Sequence, residues 1–166
     1  MEMNLTVLIC GCMLMAAGMV LAFLSSRYAS VAAYLALWVC RYSGAVSLEL
    51  STLLFWGAAT ALCIGIDLLL PQTIARGRAG VVHISGGALA GSAVGMCSNT
   101  MAGVICGAAL GAFFGAMAFS STSAGKPMHF PSAKFFNYLA AKGLPATVTM
   151  SMAGMILLQV LHIQMQ

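Results

Sequence analysis

A ladder of glycines with four-residue spacing runs through the middle of this chain and restricts its possible folds more than any other feature. The rungs are Gly87, Gly91, Gly95, Gly103, Gly107, Gly111 and Gly115, with Asn99 at the position where the spacing skips a glycine. In water, each glycine would destabilise a helix by about 1 kcal/mol relative to alanine. In a bilayer the backbone must satisfy its own hydrogen bonds, so such a segment is helical, and the glycines let another helix approach closely. This glycine ladder therefore predicts tightly packed helices in a membrane.

The composition is also typical of a membrane protein. Hydrophobic residues make up 61% of the 166 residues and charged residues only 6%, and the mean hydropathy is +1.00. Soluble domains carry about 25% charged residues. The net charge of +4 comes from basic residues scattered between apolar segments, which follows the positive-inside rule and is not a nucleic-acid-binding patch. The length suits a single polytopic membrane domain covering residues 1–166.

The apolar runs predict a series of helices. The expected segments are 5–24, 29–46, 52–70, the glycine-ladder region 82–119, a short amphipathic helix at 133–142 and a final helix at 144–162. The first run is long enough to span a bilayer and no basic residue precedes it, so we expect a membrane helix and not a cleaved signal peptide. The expected fold class is an all-α integral membrane protein with five or six membrane-embedded helices.

The glycine-ladder region is too long to be one straight span. It would measure about 57 Å as a helix, against a hydrocarbon core of about 30 Å. Ser98, Asn99 and Thr100 form the natural break, which leaves helical arms at 82–97 and 101–119. The first arm is only about 24 Å long, so the hairpin can be partly re-entrant. The sequence thus predicts a glycine-zipper hairpin whose arms pack on each other or on another copy of the chain.

The basic residues suggest an orientation in the inner membrane of the cell. Those flanking the predicted hairpin are Arg76, Arg78, Lys126, Lys134 and Lys142. A hairpin returns the chain to the side it left, so all five can be cytoplasmic. If segment 29–46 spans the membrane, Arg27 is cytoplasmic as well and both termini are outside. If that segment is re-entrant or interfacial, the N-terminus is inside and both Arg27 and Arg41 are outside. Both arrangements stay open.

The segment 133–142 has an apolar face between Lys134 and Lys142. That face consists of Phe135, Phe136, Tyr138 and Leu139. A basic helix with such a face is typical of the membrane interface. It would either sense anionic lipid or simply anchor the loop before the last helix.

Asp67 is the acidic residue that lies within a clearly apolar segment, which makes it a candidate proton or cation site. The alternative is an end group at the cytoplasmic interface, close to the arginines of the 72–80 loop. Ser98, Asn99 and Thr100 are the other members of a candidate polar path, or else they only form the turn of the hairpin. Arg41 could snorkel to the outer surface or pair with Glu49.

Other chemistry finds little support. The six cysteines form no C-x-x-C pair and none has a histidine at metal-ligand spacing, so we expect neither a metal site nor a cofactor. A nucleotide loop, a catalytic triad and a zinc-protease motif are all missing from the sequence, which makes an enzyme the least favoured class.

Two functions remain. One is a small permease or channel for a solute or an ion, because interrupted, glycine-rich helices can build a substrate site within the membrane. The other is a structural or accessory subunit that packs into a larger membrane complex through the glycine ladder. The expected partners are membrane lipid and either further copies of the chain or the subunits of such a complex.

The order of the segments resembles the family of small bacterial membrane proteins known as domain of unknown function four-five-six. The similar elements are an opening span, a short second apolar piece, the segment 53–70 with Asp67 near its end, a basic loop, the ladder from Gly86 to Gly115 and an amphipathic-plus-apolar closing segment. Unlike that family, the chain has no proline at 25–30. The resemblance implies a helical membrane protein and assigns neither an activity nor site residues.

Overall fold

The computed structural model describes residues 5–24, 28–44, 46, 48–69, 79–125 and 130–164, and every regular element in this part of the chain is helical. The helices are α1 (Leu5–Phe23), α2 (Ala29–Tyr42), α3 (Leu50–Leu69), α4 (Val81–Met96), α5 (Met101–Ser120), α6 (Ala133–Tyr138) and α7 (Leu144–Gln164). A π-helical turn, Leu139–Gly143, joins α6 to α7. The predicted all-helical class is confirmed.

Four stretches of the described chain are long and apolar enough to cross a bilayer. They are Leu5–Phe23, Leu50–Leu69, Met101–Ser120 and Ala133–Leu161. The helices Ala29–Tyr42 and Val81–Met96 are apolar but shorter. The helices thus have the length and the composition that are typical of a membrane protein.

The glycine-ladder region folds into two helices, α4 and α5, that run against each other in opposite directions. A Cβ atom added to Gly91 would overlap the carbonyl oxygen of Gly107, and one added to Gly87 would overlap that of Gly111. A Cβ atom on Gly95 would lie 3.0 Å from the Cα atom of Val104. The two backbones are therefore so close that no side chain fits between them.

The helices α1 and α2 also meet through glycines. A Cβ atom on Gly18 would lie 3.1 Å from the backbone nitrogen of Ala33, and one on Gly11 would lie 2.6 Å from the Sγ atom of Cys40. The two helices are antiparallel, since the earlier glycine meets the later part of α2. In lipid, helices associate largely by such close packing through small residues.

Two buried clusters form the core, and α7 contributes to both. In the first, α2, α3 and α7 supply most of the side chains, among them Leu37, Trp56 and Met152. In the second, α4, α5 and α6 pack with the first half of α7 around Ala112, Phe135 and Met150. Because α7 packs against α1 to α5, it is the central helix of the described structure.

The segment after residue 132 differs from the short, separate helix that the sequence predicts at 133–142. Ser132 caps α6 by accepting a hydrogen bond from the Phe135 amide at 3.1 Å, and the chain then stays helical through the π-helical turn into α7. Pro145 explains the turn, since it has no N–H and its ring would clash with the carbonyl four residues earlier in a regular helix. Phe135 and Tyr138 are buried in the protein. Whether the segment also lies at a membrane interface stays a prediction.

Candidate functional site

The π-helical turn buries a lysine. Lys142 lies in this turn and is only 7% exposed. The next residue is Gly143, and a Cβ atom added there would lie 4.0 Å from the Cβ atom of Ala112 on α5. A long cationic side chain is thus held inside the bundle, although the sequence predicts Lys142 as a basic flank of an interfacial helix.

Asp67 is the acidic residue whose negative charge attracts this lysine. It lies half-buried near the end of α3, which packs against the π-helical turn, and its carboxylate interacts electrostatically with Lys142. An isolated charge in the interior costs several kcal/mol, roughly, and a nearby opposite charge offsets part of that cost. The two residues therefore form a charge pair that the fold assembles from distant parts of the sequence.

Asp67 continues the buried face of α3. The side chains of Leu53, Trp56, Thr60 and Cys63 are buried there, and Asp67 follows at the same spacing of three or four residues. Residues with this spacing lie on one face of a helix. The indole Nε1 of Trp56 and the Oγ1 of Thr60 are both buried and have no hydrogen-bond partner within the described ranges. The inner face of α3 is thus a mixed polar and apolar stripe that leads to the charge pair.

The turn between α4 and α5 lies elsewhere. Its three residues Ser98, Asn99 and Thr100 are exposed. Lys142 is next to Gly143, which lies near Ala112 on α5. Along α5, Ala112 is about 18 Å from Thr100. The structure therefore places Asp67 beside Lys142 and not beside the other three residues of the predicted polar path.

The polar groups of this turn are used within it. The Ser98 hydroxyl donates to the Gly95 carbonyl at 2.7 Å, and the Gly103 amide donates to the Thr100 hydroxyl at 3.1 Å. Asn99 has a φ of 52°, the left-handed conformation that lets the chain reverse. These contacts account for the three residues as a hairpin turn, and their part in a polar path stays a prediction.

Arg41 and Glu49 have different environments. The Nη1 atom of Arg41 is buried and lacks a hydrogen-bond partner in the described part of the chain. Glu49 is exposed and accepts a hydrogen bond from the Ser51 hydroxyl at 3.1 Å. Arg41 as a whole is half-buried, and its snorkelling to the surface or pairing with Glu49 stays a prediction.

Four of the basic residues that suggest an orientation in the membrane lie outside the described residues, namely Arg27, Arg76, Arg78 and Lys126. Within the described residues, no group of three histidine, cysteine or acidic side chains is close enough to hold a metal ion.

An apolar cavity of about 330 Å³ lies between α1, α4 and α7. Its lining includes Met15, Met19, Met96 and Met150, together with the hydroxyl-bearing Ser92. The Ser92 hydroxyl already donates to the Leu89 carbonyl at 2.8 Å. The cavity thus offers little chemistry beyond contact with an apolar group.

The sequence points to Asp67 but not to its partner. Lys142 is three residues before Pro145, and a proline in a long apolar run is a signal of a distorted helix that exposes or buries unexpected positions. Trp56 and Thr60 could be found by their spacing from Asp67, although α3 is apolar on most of its surface and the stripe is easily overlooked.

Comparison of the chain with protein-family models, curated proteins and solved structures found no match.

Proposed function

We propose that this chain is a multi-pass protein of the inner membrane that moves a small solute or an ion across the bilayer as a permease or channel. The observation that carries the proposal is the burial of Lys142 beside Asp67 at the π-helical turn. Charged side chains within membrane segments are rare and usually belong to pathways for ions, protons or substrates.

The energetics favour a functional role for this pair over a purely structural one. Replacing a buried ion pair by apolar residues of similar size is often neutral or stabilising, so a bundle that only needed packing has no use for the charges. The local helix geometry points the same way, because single π-helical turns occur frequently at functional sites. Broken or distorted helices at membrane depth also form the binding sites of many transporters.

We further propose that five or six segments are embedded in the membrane. Four are the long apolar stretches, and the shorter Ala29–Tyr42 and Val81–Met96 would be the others. In this arrangement α4 and α5 form a glycine-zipper hairpin within the bilayer, which their close backbones support. The order of these segments remains the support for the proposed relationship to the family of domain of unknown function four-five-six.

The functional form would be a homo-oligomer, and it would use a surface other than the glycine ladder. The ladder glycines of α4 pack against those of α5 within one chain. This arrangement also weakens the alternative of an accessory subunit that joins a larger complex through the ladder, since that surface is already covered.

Flux through purified protein in liposomes tests the transport proposal. Small neutral solutes, monovalent ions and protons would be offered in turn, and the rates compared for wild type, Asp67→Asn, Lys142→Met and the control Glu49→Gln. Glu49 is exposed and lies at the start of α3, away from the charge pair at its end. We expect the flux of the two pair variants to be at least tenfold lower than that of wild type, and the flux of the control to equal that of wild type. A chain that conducts none of these species, or conducts them equally well in all four forms, is not the proposed transporter.

A further inference from the structure

We propose that the inner face of α3 lines a narrow water-filled passage that leads to the charge pair. We call this face the α3 seam and define it by Trp56, Thr60, Cys63 and Asp67. The ligand is water, and any small hydrogen-bonding species that can take the place of water would bind in the same way. The inference deepens the transport proposal and rests on it for its physiological meaning.

The first observation concerns hydrogen bonds that are missing. The large majority of buried polar side-chain atoms in proteins have a hydrogen-bond partner, either in the protein or in ordered water. Trp56 is 2% exposed and Thr60 is 5% exposed, and neither the indole N–H nor the hydroxyl has a partner in the described ranges. Two such groups, one helical turn apart on one face, are what a row of bound waters would satisfy.

The second observation is that two neighbouring helices add hydroxyls of the same kind. Ser30 on α2 and Thr149 on α7 are both fully buried, and both side-chain oxygens lack partners among the described residues. The helices α2, α3 and α7 all pack against one another. A water needs two to four polar partners, roughly, and three adjacent helices supply them.

The packing of α2 on α3 brings Ser30 and Thr60 near one shared contact. A Cβ atom on Gly57 would lie 2.9 Å from the hydroxyl oxygen of Tyr34, so α2 and α3 meet there. Thr60 follows Gly57 by three residues on α3, and Ser30 precedes Tyr34 by four residues on α2. One helical turn measures about 5.4 Å, so both hydroxyls lie about one turn from the same contact.

The seam also reaches the charge pair. Cys63 and Asp67 come one and two helical turns after Thr60 on the same face, and Asp67 interacts with Lys142. A hydrated seam would therefore connect the buried pair with the middle of the bundle. The apolar cavity beside α1 lacks such groups and would hold lipid chains, not water.

Radiolysis of water inside the protein tests the proposal with a probe of the right size. Brief X-ray exposure of the wild-type protein in liposomes produces hydroxyl radicals from bound waters, and mass spectrometry measures the oxidation of each side chain. The structure offers a matched pair of reporters on α7. Met152 packs in the cluster of Trp56 and Cys63, while Met150 packs in the other cluster, and both are fully buried.

We expect oxidation of Met152 and Cys63 at least fivefold faster than that of Met150. Thr60→Val removes the hydroxyl at nearly constant volume and should lower the rate at Cys63 severalfold. Ser92→Ala is the control, because the Ser92 hydroxyl is buried but already bonded to the Leu89 carbonyl. Equal, slow oxidation of all three reporters would overturn the hydrated seam, and so would a Thr60→Val rate equal to that of wild type.

The outcome is separable from that of the transport experiment. Fast oxidation of Met152 and Cys63 in a protein that conducts nothing would support the hydrated seam and refute transport. Flux that depends on Asp67, together with slow oxidation of both reporters, would support transport and refute the seam.

Discussion

The Asp67 carboxylate of α3 acts on the buried ammonium of Lys142, which the π-helical turn before α7 carries into the bundle. The pair links the end of α3 to the turn before α7, two elements that are far apart in the sequence.

Removal of one member of the pair should destabilise the protein more than removal of both. Asp67→Asn takes away the negative charge beside a buried cation, and we expect a loss of about 1–3 kcal/mol in the free energy of unfolding, reduced from that of a fully buried pair because Asp67 is half-buried. The double variant Asp67→Asn/Lys142→Met should recover most of this loss. Thermal unfolding in detergent would measure the stability of wild type, of Asp67→Asn and of the double variant. Equal stability of the single variant and wild type would show that the pair contributes nothing.

Bulk at the glycine ladder should disrupt the α4–α5 hairpin. A Cβ atom on Gly107 would overlap the Gly91 carbonyl oxygen, so Gly107→Leu should prevent folding or strongly reduce the yield of monodisperse protein. Gly86 provides the control, because a Cβ atom there meets nothing within 4 Å. Gly86→Ala should be neutral or stabilise the helix by up to about 1 kcal/mol. Size-exclusion chromatography would compare both variants with wild type. A Gly107→Leu protein that elutes like wild type would contradict the close packing.

The Tyr138 hydroxyl should hold α6 to the start of α4. It donates a hydrogen bond to the Ala79 carbonyl, and its ring stacks on Phe119 with centroids 5.7 Å apart. Tyr138→Phe keeps the ring and should cost about 0.5–1.5 kcal/mol, the usual net value of one hydrogen bond. Phe136→Leu, at an exposed position, serves as the comparison in the same unfolding assay. If the free energy of unfolding of Tyr138→Phe were equal to that of Phe136→Leu, the result would argue against this contact.

The ends of the hairpin should lie on one side of the membrane. Cysteines introduced at position 73 and in place of the exposed Ser123, in a background without the native cysteines, should react with an impermeant thiol reagent from the same side. The hairpin turn, probed at position 99, should react from the other side if the hairpin spans, and from neither if it is re-entrant. Labelling of 73 and 123 from opposite sides is incompatible with a hairpin in the membrane.

The positions of the helices follow closely from the sequence. The first apolar run predicts 5–24 and the structure has Leu5–Phe23, and the break at Ser98 to Thr100 separates the two ladder helices as expected. These features depend on local chemistry, namely apolar length, glycine spacing and polar turn residues, so the sequence contains what is needed to predict them.

The site depends on long-range packing and could be predicted only in part. Asp67 stands out because it is acidic in an apolar segment, whereas the burial of Lys142 depends on the π-helical turn and on the way α3 packs against it. The segment before Pro145 has a basic and aromatic pattern that fits an interfacial helix equally well. Only the tertiary contacts decide between a lysine at the surface and one in the interior.

The central place of α7 has a consequence for biogenesis. This helix packs against α1, α2, α3, α4 and α5, yet the ribosome makes it after all of them. The α4–α5 hairpin carries its own close contacts, whereas Asp67 on α3 meets Lys142 only after that residue has been translated. The contacts that close the bundle therefore form last, when the final helix joins the earlier ones.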